Sequence, residues 1–126
     1  MVDRRTPLAR ARGLGSAKAG LGHWWAQRLT AVALIPLVVW FAISLVMLSG
    51  ADYATVRAWI GSPLVMVLLI LTIGVGLHHA QLGVQVVVED YTDGAWRLSL
   101  IVLVKFIAVL FGLSAIVAIL RIGFGG

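Results

Sequence analysis

The sequence contains no cysteine. That excludes structural disulfides, thiolate metal ligands and iron–sulfur clusters held by this chain alone. Any metal must therefore rest on His, Asp, Glu or Met. Charge is scarce as well, at 12% of residues, where a soluble domain carries about 25%. Acids are the rarest, with five Asp and Glu against ten Lys and Arg. What remains outside the apolar runs is too little for a soluble active-site domain. If the chain serves an enzyme, most of that enzyme lies elsewhere.

What is present in abundance is hydrocarbon. Hydrophobic residues make up 61% and the mean hydropathy is +1.04. Three apolar stretches, residues 29–48, 63–88 and 98–120, each reach the roughly 20 residues a bilayer core demands. The second is long enough that it must tilt or project from the membrane. The expected fold is all-α: three transmembrane helices, preceded by a basic segment over residues 1–28.

The placement of charge gives an orientation. Arg4, Arg5, Arg10, Arg12, Lys18 and Arg28 all precede the first span, opposed only by Asp3. Counting Lys and Arg near span ends puts the N-terminus in the cytoplasm, the second loop back on that side and the C-terminus in the periplasm. The acids Glu89, Asp90 and Asp93 in the second loop do not oppose this, since acids contribute little to the rule. The basic leader has no nucleic-acid-binding motif, so a lipid-facing or partner-docking segment is expected and no nucleic acid. No small-residue cleavage site follows the first span, which argues against a secretory signal.

The first span begins near His23-Trp24-Trp25-Ala26-Gln27-Arg28. The tryptophans suit the headgroup layer, where Arg28 either snorkels or pairs with an anionic cofactor group. Pro36 removes one helix bond and is expected to kink the span. Ser49 to Gly61 reads as a short loop without chemistry. Ser62-Pro63 then starts the next helix, with serine as cap and proline in the first turn.

The second span holds the polar groups. At 100° per residue, His78, Gln81, Gln85 and Glu89 form one stripe, while Thr72, Gly76, His79, Gly83 and Asp90 form another. Imidazole in hydrocarbon is costly without a partner. Adjacent histidines point about 100° apart, so one helix does not aim both at one ion. A heme iron needs only one imidazole from each of two helices. His79 is the better candidate because it shares its face with glycines that admit a flat ring or a neighbouring helix. Both histidines simply bonded within a bundle is the alternative. Tyr91 lies about 18 Å further along the helix, near the surface. Its hydroxyl can donate to a ligand carbonyl, with a nearby carboxylate to order it or move protons; an ordinary interfacial tyrosine is the bland alternative.

The run His79-Ala80-Gln81-Leu82-Gly83, with Asp90-Tyr91 beginning seven positions on from Gly83, resembles the small hydrophobic anchor subunit of succinate dehydrogenase, the succinate:quinone oxidoreductase of respiratory complex II. His23-Trp24-Trp25 with Arg28-Leu29-Thr30 is similar to the start of the first helix in that subunit. The resemblance covers essentially the whole chain. It implies a cytochrome b556-type anchor of a bacterial inner membrane, a mitochondrial one being less expected. His79 would be one axial ligand of heme b, the second coming from a partner anchor, the cytochrome b subunit. Tyr91 would hydrogen-bond ubiquinone with Asp90 in support, and Arg28 would lie near heme propionates or the quinone. FAD and iron–sulfur clusters would sit in the partner flavoprotein and iron–sulfur subunits, and no catalytic nucleophile would come from this chain.

In the third span Lys105 is the exception, eligible to snorkel or to meet an anion. Gly112 and Ser114 are candidates for close helix contact. The rival functions are an anchor of another quinone-linked oxidoreductase, such as fumarate reductase, and a small cofactor-free transport or structural subunit. A transporter would carry polar stripes through several helices, whereas here they concentrate in one.

Overall fold

The computed structural model describes residues 6–12 and 17–125. The acid and two of the arginines of the leader, Asp3, Arg4 and Arg5, lie outside the described residues. Five helices follow in order: α1 (Pro7–Ala11), α2 (Ala17–Met47), α3 (Tyr53–Ile60), α4 (Pro63–Tyr91) and α5 (Gly94–Gly123). Three of them, α2, α4 and α5, are long and apolar enough to cross a membrane. The expected all-α architecture, with three helices long enough to span a membrane, is what the described residues form.

The helices outrun the apolar stretches at both kinds of boundary. The polar exit Glu89-Asp90-Tyr91 stays within α4, and α2 begins well before the first apolar run. Hydropathy marks where the hydrocarbon ends, but helical hydrogen bonding continues into the interface. Pro36 lies inside α2, which runs through it as a single helix. The first loop also differs from expectation, because it contains α3. Asp52 caps that helix, its carboxylate accepting from the Thr55 N–H at 2.9 Å. Hydrogen bonding to the Thr55 side chain, and next to its N–H, holds the Asp52 carboxyl below its ordinary value.

A two-residue turn, Thr92-Asp93, reverses the chain between α4 and α5. Gly94 takes φ +59°, a conformation that favours glycine, to start α5. Arg97 clasps the turn: its guanidinium donates to the carbonyls of Thr92 (2.7 Å) and Glu89 (2.9 Å) and to the Asp93 carboxylate (2.8 Å). The carbonyl at Glu89 would otherwise lack a helical partner.

Among the described residues α4 is the central helix. α2 packs on it and so does α5, but α2 and α5 do not touch each other. Only 6% of the most apolar window of each span is buried within the chain. Large apolar side chains such as Phe106 (71% exposed) and Phe111 (64%) face outward. An open row of three helices leaves these faces uncovered within the described residues.

The α4–α5 seam closes over two glycines. A Cβ at Gly112 would come 3.2 Å from Leu77 Cδ1, and one at Gly123 would overlap Met66 Sδ. Gly123→Ala is therefore expected to drive Met66 out of its seat. The cost should be about 1 kcal/mol, the low end for overpacking because a thioether adapts. A lowered Tm of the detergent-purified protein, largely restored by adding Met66→Ala, is the expected result. An unchanged Tm would show that the seat is loose.

Candidate functional site between α2 and α4

Helical geometry sends the two histidines to different neighbours. His78 lines a cavity of about 480 Å³ between α4 and α5, together with Gln81, Lys105, Gly74 and Gly112. His79 turns to α2, where its Nδ1 lies 2.9 Å from the Thr30 hydroxyl. The two stripes read from periodicity thus face different helices. Gly76 and Gly83 lie with His79 against α2: a Cβ at Gly76 would meet Leu34 at 3.8 Å, and one at Gly83 would meet Gln27 at 3.7 Å. These are ordinary contacts, so the glycines leave room there.

The first stripe forms a ladder along α4. Gln81 donates to Gln85 at 3.0 Å, and Gln85 donates to Glu89 at 2.8 Å. Gln81 is buried, so this chain of amides satisfies polar groups that hydrocarbon would penalise.

On the other stripe, His79 borders an open cavity of about 440 Å³ lined by Gln27, Ala80, Gly83, Val84 and Val87. The lining is small and apolar apart from Gln27 and the imidazole. Among the described residues, only Nδ1 of His79 is hydrogen-bonded. Two further polar atoms on α2 are buried without a partner, His23 Nε2 and Gln27 Oε1. They stand one turn apart on the helix face that bears Thr30.

The remaining candidates do not converge on His79 by direct bonds. Arg28 lies over the Trp24 ring at 5.2 Å, a cation–π contact at the start of the span. Asp90 is exposed, and Tyr91 is 84% exposed at the end of α4. The helix between His79 and Tyr91 is continuous, which keeps them about 18 Å apart along the axis. No cluster of three or more His, Asp or Glu suited to a metal ion occurs among the described residues. A group held by one imidazole from each of two helices does not need one.

Two residues matter here that sequence reasoning passed over, Thr30 and Gln27. A threonine two positions after Arg28 carries no signal of its own, because hydroxyls in membrane helices commonly bond back to their own backbone. Thr72 does just that, donating to the Leu68 carbonyl at 2.7 Å.

Residues 2–117 match the family described as succinate dehydrogenase/fumarate reductase transmembrane subunit. The chain belongs to this family. The match takes in α2, α3, α4 and most of α5. Among its relatives, the succinate dehydrogenase hydrophobic membrane anchor subunit of Rickettsia bellii (strain RML369-C) is 33% identical, over 93% of this chain and 94% of the relative. The protein of the same description from Paracoccus denitrificans is also 33% identical, over 95% and 93%. The succinate dehydrogenase membrane anchor subunit of Reclinomonas americana is 27% identical, over 73% and 80%. No solved structure matches the chain. The three helices long and apolar enough to cross a membrane are in keeping with a transmembrane subunit.

Proposed function

We propose that this chain is the hydrophobic membrane anchor of a succinate dehydrogenase, giving its complex one heme ligand and part of the quinone site. The observation that carries this is His79, held against α2 through Nδ1 with its other nitrogen unbonded beside a small-residue cavity. Ala80 and Gly83 on that wall leave space for a flat ring, and a second subunit closing the open side would supply a second ligand. When bound, heme b supplies a one-electron store between the iron–sulfur subunit and the quinone. This chain's residues do the rest. His79 would ligate the heme, the apolar lining from Val84 and Val87 would exclude water, and Arg28, at the start of the span, would meet its anionic groups.

Quinone reduction would take place at the polar exit of α4. Tyr91 stands exposed there and would donate a hydrogen bond to a quinone carbonyl, while Asp90 orders the hydroxyl or passes a proton. A quinone diffusing in lipid meets this surface laterally. The positive-inside pattern supports α1 and the α4–α5 turn lying on the cytoplasmic side of a bacterial inner membrane, where flavoprotein and iron–sulfur subunits would dock. The relatives named above are succinate dehydrogenase subunits, which favours succinate oxidation over fumarate reduction as the working direction.

The test is spectroscopic. The complex purified with this chain is expected to show a b-type reduced-minus-oxidised spectrum and a low-spin bis-imidazole EPR signal in the oxidised state. An assembled, succinate-oxidising complex without that signal would remove the heme from the proposal.

A further inference from the structure

We infer that Thr30 is a positioning residue for His79: its hydroxyl fixes the imidazole in the tautomer whose Nε2 lone pair is free to ligate iron. The inference rests on the heme-ligand reading of His79. It starts from counting protons on one oxygen. Thr30 Oγ1 has three neighbours: the carbonyl of Ala26 at 2.6 Å, the carbonyl of Gln27 at 3.1 Å and Nδ1 of His79 at 2.9 Å. A hydroxyl carries one hydrogen, and carbonyls only accept. Two oxygens 2.6 Å apart require that hydrogen between them, so it is donated to Ala26. The oxygen can then only accept from His79, and Nδ1 must bear the proton.

The two neutral tautomers differ in what they offer a metal. With the proton on Nδ1, Nε2 presents a lone pair. With the proton on Nε2, the ring presents an N–H to the cavity and cannot ligate there. Thr30 therefore selects the ligand-competent form before any partner arrives. Its donation to Ala26 also polarises the oxygen and makes it a better acceptor. Because Thr30 sits on α2 and His79 on α4, the same bond ties the ring's orientation to the α2–α4 packing. Supporting groups of this kind raise the basicity of a metal-bound imidazole and typically govern affinity by 10–100-fold.

The test compares three variants in the complete complex: Thr30→Val, which keeps the shape and deletes the hydroxyl; Thr30→Ser, which keeps the hydroxyl; and Thr72→Val as a control, whose hydroxyl bonds only its own helix. Heme occupancy, the EPR signal of the oxidised heme and its midpoint potential are measured. Thr30→Val is expected to weaken heme retention about 10–100-fold. Where heme remains, its potential should move positive and its EPR signal shift, since a less basic imidazole donates less to ferric iron. Thr30→Ser and Thr72→Val should match the wild type. Thr30→Val with wild-type occupancy, potential and EPR would overturn the inference while leaving His79 as ligand. If Thr30→Val does not assemble, Thr30→Ala and Thr30→Ser are compared instead, and equal heme properties in those two overturn it. Heme that survives unchanged in His79→Ala overturns the ligand reading itself, whatever Thr30 does.

Discussion

Replacing His79 with alanine is expected to abolish the b-type heme signal, whereas replacing His78 is expected to spare it. The two side chains are neighbours in sequence, but the helix sends them to different seams. His79 meets Thr30 of α2, and His78 lines the α4–α5 cavity with Gln81 and Lys105. Loss of a supporting hydrogen bond around a metal site costs 10–100-fold in affinity, so losing the ligand itself should exceed about 100-fold. His79→Ala complexes should therefore be purified essentially heme-free, with succinate oxidation by an artificial acceptor retained. His78→Ala should keep heme and change only the packing or hydration of the α4–α5 cavity. Heme content by reduced-minus-oxidised spectra decides the matter. Loss of heme from the His78 variant with retention in the His79 variant would reverse the assignment.

The same pair shows how far a sequence carries. Hydropathy revealed three spans, and a 100° step separated the two polar stripes, because both depend only on the chain's own periodicity. The direction each stripe faces depends on which helices lie beside α4. Sequence alone could not say that α2 takes the His79 face and α5 the His78 face. The short helix α3 was missed because its Asp52 cap stands in a segment whose Gly50 and Gly61 read as loop. Thr30 was visible only as a letter in a motif. Its role appears once two antiparallel helices bring residues 49 positions apart within hydrogen-bond distance. The pattern is general for membrane helices. Local geometry is written along the chain, but polar pairing across a seam is a property of packing.

Tyr91→Phe is expected to give the largest effect on turnover without touching heme. The substitution keeps the ring and removes one O–H. Tyr91 is 84% exposed at the end of α4, so its packing within this chain is slight and little stability should be lost. A quinone gains negative charge on its oxygen as it is reduced, and a donor aimed at that atom strengthens as the charge develops. Removing one such donor elsewhere typically costs 10²–10³ in rate. Succinate–quinone turnover should therefore fall about 100-fold, with more of the loss in kcat than in KM, because the bond strengthens towards the transition state. Asp90→Asn should cost less, since the role proposed for Asp90 is on the tyrosine or on a proton and not on the quinone carbonyl. Heme spectra and dye-linked succinate oxidation should remain at wild-type levels in both variants, which separates a quinone-site defect from failed assembly. Wild-type quinone kinetics in Tyr91→Phe would place the quinone elsewhere in the complex and leave Tyr91 as an interfacial anchor of α4.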